Sequence, residues 1–123
     1  MRDALAFRET LGGDAAIMPY IRTLAWEGGQ VLSQAFGTTP TMAPQEMTSA
    51  LVDVQLPSWA DPAKTANLTA ALYAKHNTFV VVYGPYVLPD GTNLGYWTRV
   101  SAQIYLDLSA FQTLAHWILD ALA

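Results

Sequence analysis

A single arginine sits in the middle of a strand-like apolar run, Gly95-Tyr96-Trp97-Thr98-Arg99-Val100-Ser101-Ala102-Gln103-Ile104-Tyr105, and that placement constrains this chain more than any other feature. On a strand, residues two apart share a face. Trp97, Arg99, Ser101 and Gln103 therefore point one way, and Tyr96, Thr98, Val100 and Ala102 the other. The first face is the polar one. A planar guanidinium presents paired N–H donors that fit a carboxylate bidentately, and burying it without a counter-charge is costly. Arg99 is therefore either ion-paired within the chain or open to an acidic ligand.

The flanking patterns give the rest of the order. Asp3 to Leu11 reads as a short helix stopped by Gly12-Gly13. Asp14 is placed to cap a second helix that runs to about Phe36, with Ile17, Tyr20, Ile21, Leu24, Val31, Leu32 and Ala35 at three-and-four spacing and Gly28 on the same stripe. Pro19 predicts a kink or a later start, because it removes the bond to the Ala15 carbonyl. Gly28-Gly29 weakens the helix by roughly 1 kcal/mol per glycine and suggests either a close backbone approach or local fraying.

A loop is expected from Gly37-Thr38-Thr39-Pro40 through Pro44. A half-buried strand follows over Thr48 to Leu56, imperfect because Leu51 falls on the polar face. Asp61-Pro62 opens a third helix that His76-Asn77 closes, with Leu68, Ala71, Leu72 and Tyr73 on its apolar side. Thr78 to Tyr83 and Gly95 to Ile104 read as an antiparallel pair joined by a long loop containing the turn signal Asp90-Gly91. Ser109 and Gln112 form a capping box for a terminal amphipathic helix carrying Phe111, Leu114, Ala115, Ile118, Leu119 and Leu122. The fold class expected is α+β: a small, mostly antiparallel sheet of about three strands with helices packed on one face.

With 123 residues the chain is one compact domain, divided into N-terminal helices over 1–36 and a small α+β domain over 37–123. Hydrophobic residues make up 52% and charged residues only 13%, about half the charge usual for a soluble chain, so some apolar surface is expected to face a partner. The net charge of −4 and the scattered basic residues argue against nucleic acid as a ligand. The absence of cysteine removes disulfides, thiolate nucleophiles and sulfur metal sites, and fits a reducing compartment. Without an apolar leader or a run long enough to span a bilayer, the chain reads as cytoplasmic, with no membrane partner.

Trp97, Arg99, Ser101 and Gln103 together make a plausible cradle for a small carboxylate, with Trp97, Ser101 and Gln103 as pocket wall. The plainer alternative pairs Arg99 with Asp53 or Glu46. His76 reads as a helix-end cap or surface residue and His116 as solvated or partner-facing. Neither has ligand-spaced carboxylates, so no metal site is expected, and no catalytic residue, phosphate loop or serine-hydrolase signature emerges.

Tyr96-Trp97-Thr98-Arg99-Val100-Ser101-Ala102-Gln103-Ile104-Tyr105 resembles the C-terminal part of class V aminotransferase-fold enzymes, particularly the isopenicillin N epimerase-like branch. Ala4-Leu5-Ala6-Phe7-Arg8, Leu11-Gly12-Gly13 and Leu24-Ala25-Trp26-Glu27-Gly28-Gly29 look like that branch's segment leading from the large domain into the small one. The resemblance implies a fold-type I small domain whose Arg99 grips the substrate's α-carboxylate. It also implies that residues 1–36 are the linker from a large domain that binds pyridoxal phosphate. Leu106 departs from the pattern, since asparagine usually follows the Ile-Tyr pair there.

The cofactor needs a lysine amine, an acid at the pyridine nitrogen and a phosphate cup. The only lysines are Lys64 and Lys75, without the family's lysine context. The expectation is therefore a chain that holds no cofactor itself and is inactive alone, with the pyridoxal-phosphate-binding large domain as missing partner and an amino acid as substrate of the intact enzyme. Homo-oligomerisation, or exchange of the first helix between copies, is expected from the apolar surface. The alternative is a stand-alone, non-catalytic α+β binding or interaction module.

Overall fold

A computed structural model describes residues 2–39 and 43–123. Four helices and three strands follow in the order α1 (Arg2–Thr10), α2 (Gly13–Phe36), β1 (Leu51–Gln55), α3 (Pro62–His76), β2 (Val81–Val87), β3 (Asn93–Ser101) and α4 (Leu108–Leu122). The α+β class is as the sequence predicts. The strands form one antiparallel sheet in the order β1-β3-β2, so the arginine strand is central and both neighbours cross-brace it.

Alternation fixes the two faces of the sheet. Val52 and Val54 of β1 and Thr98 and Val100 of β3 are buried toward the helices, while Leu51 and Arg99 are exposed on the opposite face. The core lies between the sheet's inner face and three helices: Ile21, Leu24 and Leu32 come from α2, Leu68 and Leu72 from α3, and Phe111, Ala115, Ile118 and Leu122 from α4. Each such side chain contributes about 1.5–3 kcal/mol relative to exposure, which holds the helices to the sheet. α1 packs along α2 and buries none of its own residues.

Several local expectations are corrected. Asp14 does not cap α2. The preceding Gly12, in the left-handed conformation, occupies that position, and Asp14 lies within the helix and accepts from Arg8 Nε at 3.0 Å. Of the two outcomes expected at Pro19, the later start does not occur: α2 already begins at Gly13 and runs through Pro19 to Phe36. At Gly28 the close neighbour is an aromatic ring rather than a backbone: a Cβ there would lie 2.4 Å from Phe111 Cδ1. Tyr73, expected on the apolar side of α3, is exposed.

The cap of α4 is Asp107, whose carboxylate accepts from the Ser109 and Ala110 N–H groups, rather than Ser109. That carboxyl is held below its ordinary range by the Ser109 hydroxyl and the helix N–H donors. Asp61 caps α3 as expected, accepting from Ala63 N and Lys64 N. β2 and β3 are joined by the short turn 88–92 instead of a long loop, with Asp90 accepting from Thr92 N. Gly84-Pro85 falls in edge strand β2, where the register shifts, which is where a sheet tolerates a missing N–H. Pro40, part of the expected loop, lies outside the described residues.

Candidate functional site

The cross-strand register puts Asp53 of β1 directly opposite Arg99 of β3, with Val81 of β2 on the other side. Arg99 Nε donates to Asp53 Oδ1 at 2.8 Å and Nη2 donates to Oδ2 at 3.2 Å, a bidentate fork. Tyr83 of β2 reaches across the same face, and its hydroxyl donates to Asp53 Oδ1. Its ring centroid lies 5.6 Å from the guanidinium carbon, within cation–π range.

The Asp53 side chain is 20% exposed and that of Arg99 is 50% exposed. The guanidinium therefore has an internal acid on one edge, the Tyr83 ring within cation–π range, and half of its side chain's surface open to solvent. Partial burial pushes the Asp53 carboxyl up, but hydrogen bonds from Arg99 and Tyr83 outweigh that and hold it below the ordinary carboxylate value. Burial and the adjacent Asp53 carboxylate push the Tyr83 phenol well above its ordinary value, so it stays a donor; the Asp53 carboxylate likewise raises Arg99, which stays a cation.

Of the other residues singled out for the cradle, Ser101 shares Arg99's face and is exposed. Trp97 shares that face too but is only 6% exposed, and its indole N–H is spent on the Leu94 carbonyl at 3.1 Å. Gln103 lies beyond the end of β3. Glu46, the other acid considered for Arg99, sits in the short 3-10 turn Gln45–Met47, and the ion pair goes to Asp53.

Between the start of β2, the end of β3 and α4 runs a cleft of about 480 Å³. Phe79, Leu106, Leu114 and Trp117 give it apolar walls, and Arg99 and Ser101 are also among its lining residues, Arg99 being the one charged residue there. Outside the cleft's lining, His76 stacks on Trp117 with centroids 4.2 Å apart and planes at 8°, so it is half-buried rather than a solvent cap. His116 is exposed, its Nδ1 2.9 Å from the Gln112 carbonyl. Among the described residues no group of three or more His, Asp or Glu side chains is placed to hold a metal ion. No described helix is long and apolar enough to cross a membrane.

Sequence reasoning missed Tyr83 and the cleft. A signal for Tyr83 existed: Val81 and Arg99 lie equally far either side of Asp90 in the turn, which places Tyr83 opposite Trp97. The cleft had none, because its walls come from segments far apart in the chain.

No model of a known protein family matches this chain. Among curated proteins, it is 28% identical over 118 residues to hercynylcysteine sulfoxide lyase of Schizosaccharomyces pombe. The alignment takes in 96% of this chain and 27% of the relative, so the chain spans about a quarter of the length of the curated protein it matches. Nearly the whole chain is thus similar in sequence to one part of a lyase.

Proposed function

We propose that this chain is the substrate-carboxylate-binding small domain, C-terminal in its parent, of a pyridoxal-phosphate enzyme of the class V aminotransferase fold. Arg99 receives the α-carboxylate of an amino-acid substrate in that enzyme. The observation that carries this reading is the half-exposed guanidinium of Arg99 on the sheet face opposite the core, beside the cleft, in a chain aligned almost end to end with part of a lyase. A β-sheet face turned away from the core, with a bidentate cation at its centre, is suited to recognise a small acid.

The residues of this chain do not by themselves fit the cofactor. Lys64 and Lys75 are both exposed on α3, and neither lines the cleft beside Arg99. On this reading the amine and the phosphate cup belong to polypeptide beyond these 123 residues, and the chain alone is inactive. The exposed Leu5 and Phe7 of α1, and Leu11 just after it, offer apolar surface to that partner or to a second copy. The isopenicillin N epimerase-like branch and a cytoplasmic setting belong to the same proposal, carried by the resemblance of the arginine strand and by the absence of cysteine.

The reading is tested in an enzyme assembled from this domain and a cofactor-binding large domain. Arg99→Gln should raise KM for the amino acid by about tenfold to a hundredfold, the worth of a hydrogen-bonded charge pair. An unchanged KM would remove Arg99 from substrate binding. One observation favours a second reading, a non-catalytic interaction module: Arg99 already spends two donors on Asp53. Under that reading, turnover would not depend on position 99.

A further inference from the structure

Asp53 meets Arg99 in the arrangement a free carboxylate would take. Both carboxylate oxygens face two adjacent N–H groups, at 2.8 and 3.2 Å, on a guanidinium whose side chain is half open to solvent. Tyr83 contributes a third donor to the same carboxylate. We propose that Asp53 is an internal stand-in for the acidic ligand: a latch that occupies the Arg99 fork until a carboxylate displaces it, with Tyr83 holding the displaced Asp53. The proposal rests on the reading of Arg99 as a carboxylate receptor and adds the residue that competes for it.

Three features make the exchange feasible. The charges balance between the two end states, because one carboxylate replaces another on the guanidinium, and in the open state between them that guanidinium is half exposed to solvent. An ion pair whose guanidinium is half exposed is screened by solvent on that side, which lowers the cost of displacing Asp53 from it. The Tyr83 hydroxyl already bonds to Asp53 Oδ1, so a mostly buried carboxylate would keep that partner when it leaves Arg99, and the Tyr83 ring centroid lies 5.6 Å from the guanidinium carbon in the latched state. A latch closed about four-fifths of the time leaves about one-fifth of the molecules competent and weakens apparent affinity about fivefold. A merely structural role for Asp53, orienting Arg99 toward a ligand bound on its other edge, predicts the opposite sign.

The test uses the full 123-residue chain, isotope-labelled, titrated with acetate as the probe and with chloride at matched ionic strength as control. Nuclear magnetic resonance should show the Arg99 Nε–H and the Asp53 carboxyl carbon shifting together. Asp53→Asn should bind acetate about fivefold more tightly. Tyr83→Phe should bind it more weakly, and Arg99→Gln not at all. Acetate binding that needs Arg99 but is equal or weaker in Asp53→Asn overturns the latch and leaves the receptor reading standing. No Arg99-dependent binding in either the wild type or Asp53→Asn overturns both. If Asp53→Asn does not fold, the wild type decides: an Asp53 carbon that stays put while the Arg99 Nε–H moves also overturns the latch. Unaltered affinity in Tyr83→Phe removes Tyr83 from it.

Discussion

Asp53 and Arg99, 46 residues apart in sequence, face each other across β1 and β3 and close a bidentate ion pair on the sheet face opposite the core. The pair is both a cross-strand staple and the only place on the described sheet where a cation is offered to solvent, because Arg99 is the strands' single basic residue. Its energetic weight is modest, because solvent screens the half-exposed guanidinium.

Stability should depend on pH through the carboxyls held down in the folded state. Asp53 is lowered despite its burial, by Arg99 and Tyr83, and Asp107 by the donors at the start of α4. Because these folded values lie below the ordinary 3.8, their contribution is fully present above that value and is lost as pH falls through the folded values. Urea midpoints should be level at mildly acidic pH and fall below about pH 4, less steeply in Asp53→Asn. An equally steep fall in that variant would contradict the assignment.

Gly28 should be intolerant of a side chain. An alanine Cβ would meet the Phe111 ring at 2.4 Å at the α2–α4 contact, so Gly28→Ala should cost about 1–3 kcal/mol as overpacking. Adding Phe111→Leu should recover part of that loss, a coupling that a double-mutant cycle measures. Additive losses would show that the two residues do not touch.

The two aspartate caps invite a direct comparison. Asp61→Ala at α3 and Asp107→Ala at α4 should each lower stability by about 1 kcal/mol. Ser109→Ala, although it alters the residue the sequence pattern favours as cap, should cost less, since the helix N–H groups bond to Asp107. Thermal melts of the three variants rank them.

Pyridoxal phosphate added in equimolar amount to the chain alone should give only the spectrum of the free aldehyde. Lys64 and Lys75 are exposed and stand apart from Arg99. A cofactor absorbance that disappears in Lys64→Ala or Lys75→Ala would show that the chain holds the cofactor itself.

The first helix should govern self-association. Leu5, Phe7 and Leu11 are exposed on or beside a helix that buries nothing. Sedimentation should show oligomers at high concentration that revert to monomer when Leu5 and Phe7 are replaced by serine. A wild-type monomer at every concentration would count against an apolar partner at α1.

Much of this fold can be read along the chain because the signals are local. The spacing of Phe111, Ala115, Ile118 and Leu122 predicts the buried stripe of α4, and Asp61-Pro62 predicts the start of α3, since helix period and capping involve residues within a turn of one another. The alternation around Arg99 likewise gives the face it occupies. Where two nearby residues satisfy the same local rule, the pattern is ambiguous: Asp107 and Ser109 both suit a cap, and it is Asp107 that accepts from the first helix N–H groups.

What the chain by itself determined is therefore the class of each element, which side of it is apolar, and the presence of one guanidinium on an outward face. Only the tertiary structure decided that Asp53 rather than Glu46 meets that guanidinium, that Tyr83 joins them, that Trp97 is closed off and that a cleft opens beside α4. Those outcomes depend on strand order and register, which bring together residues dozens of positions apart, and no local periodicity encodes a contact made at that distance.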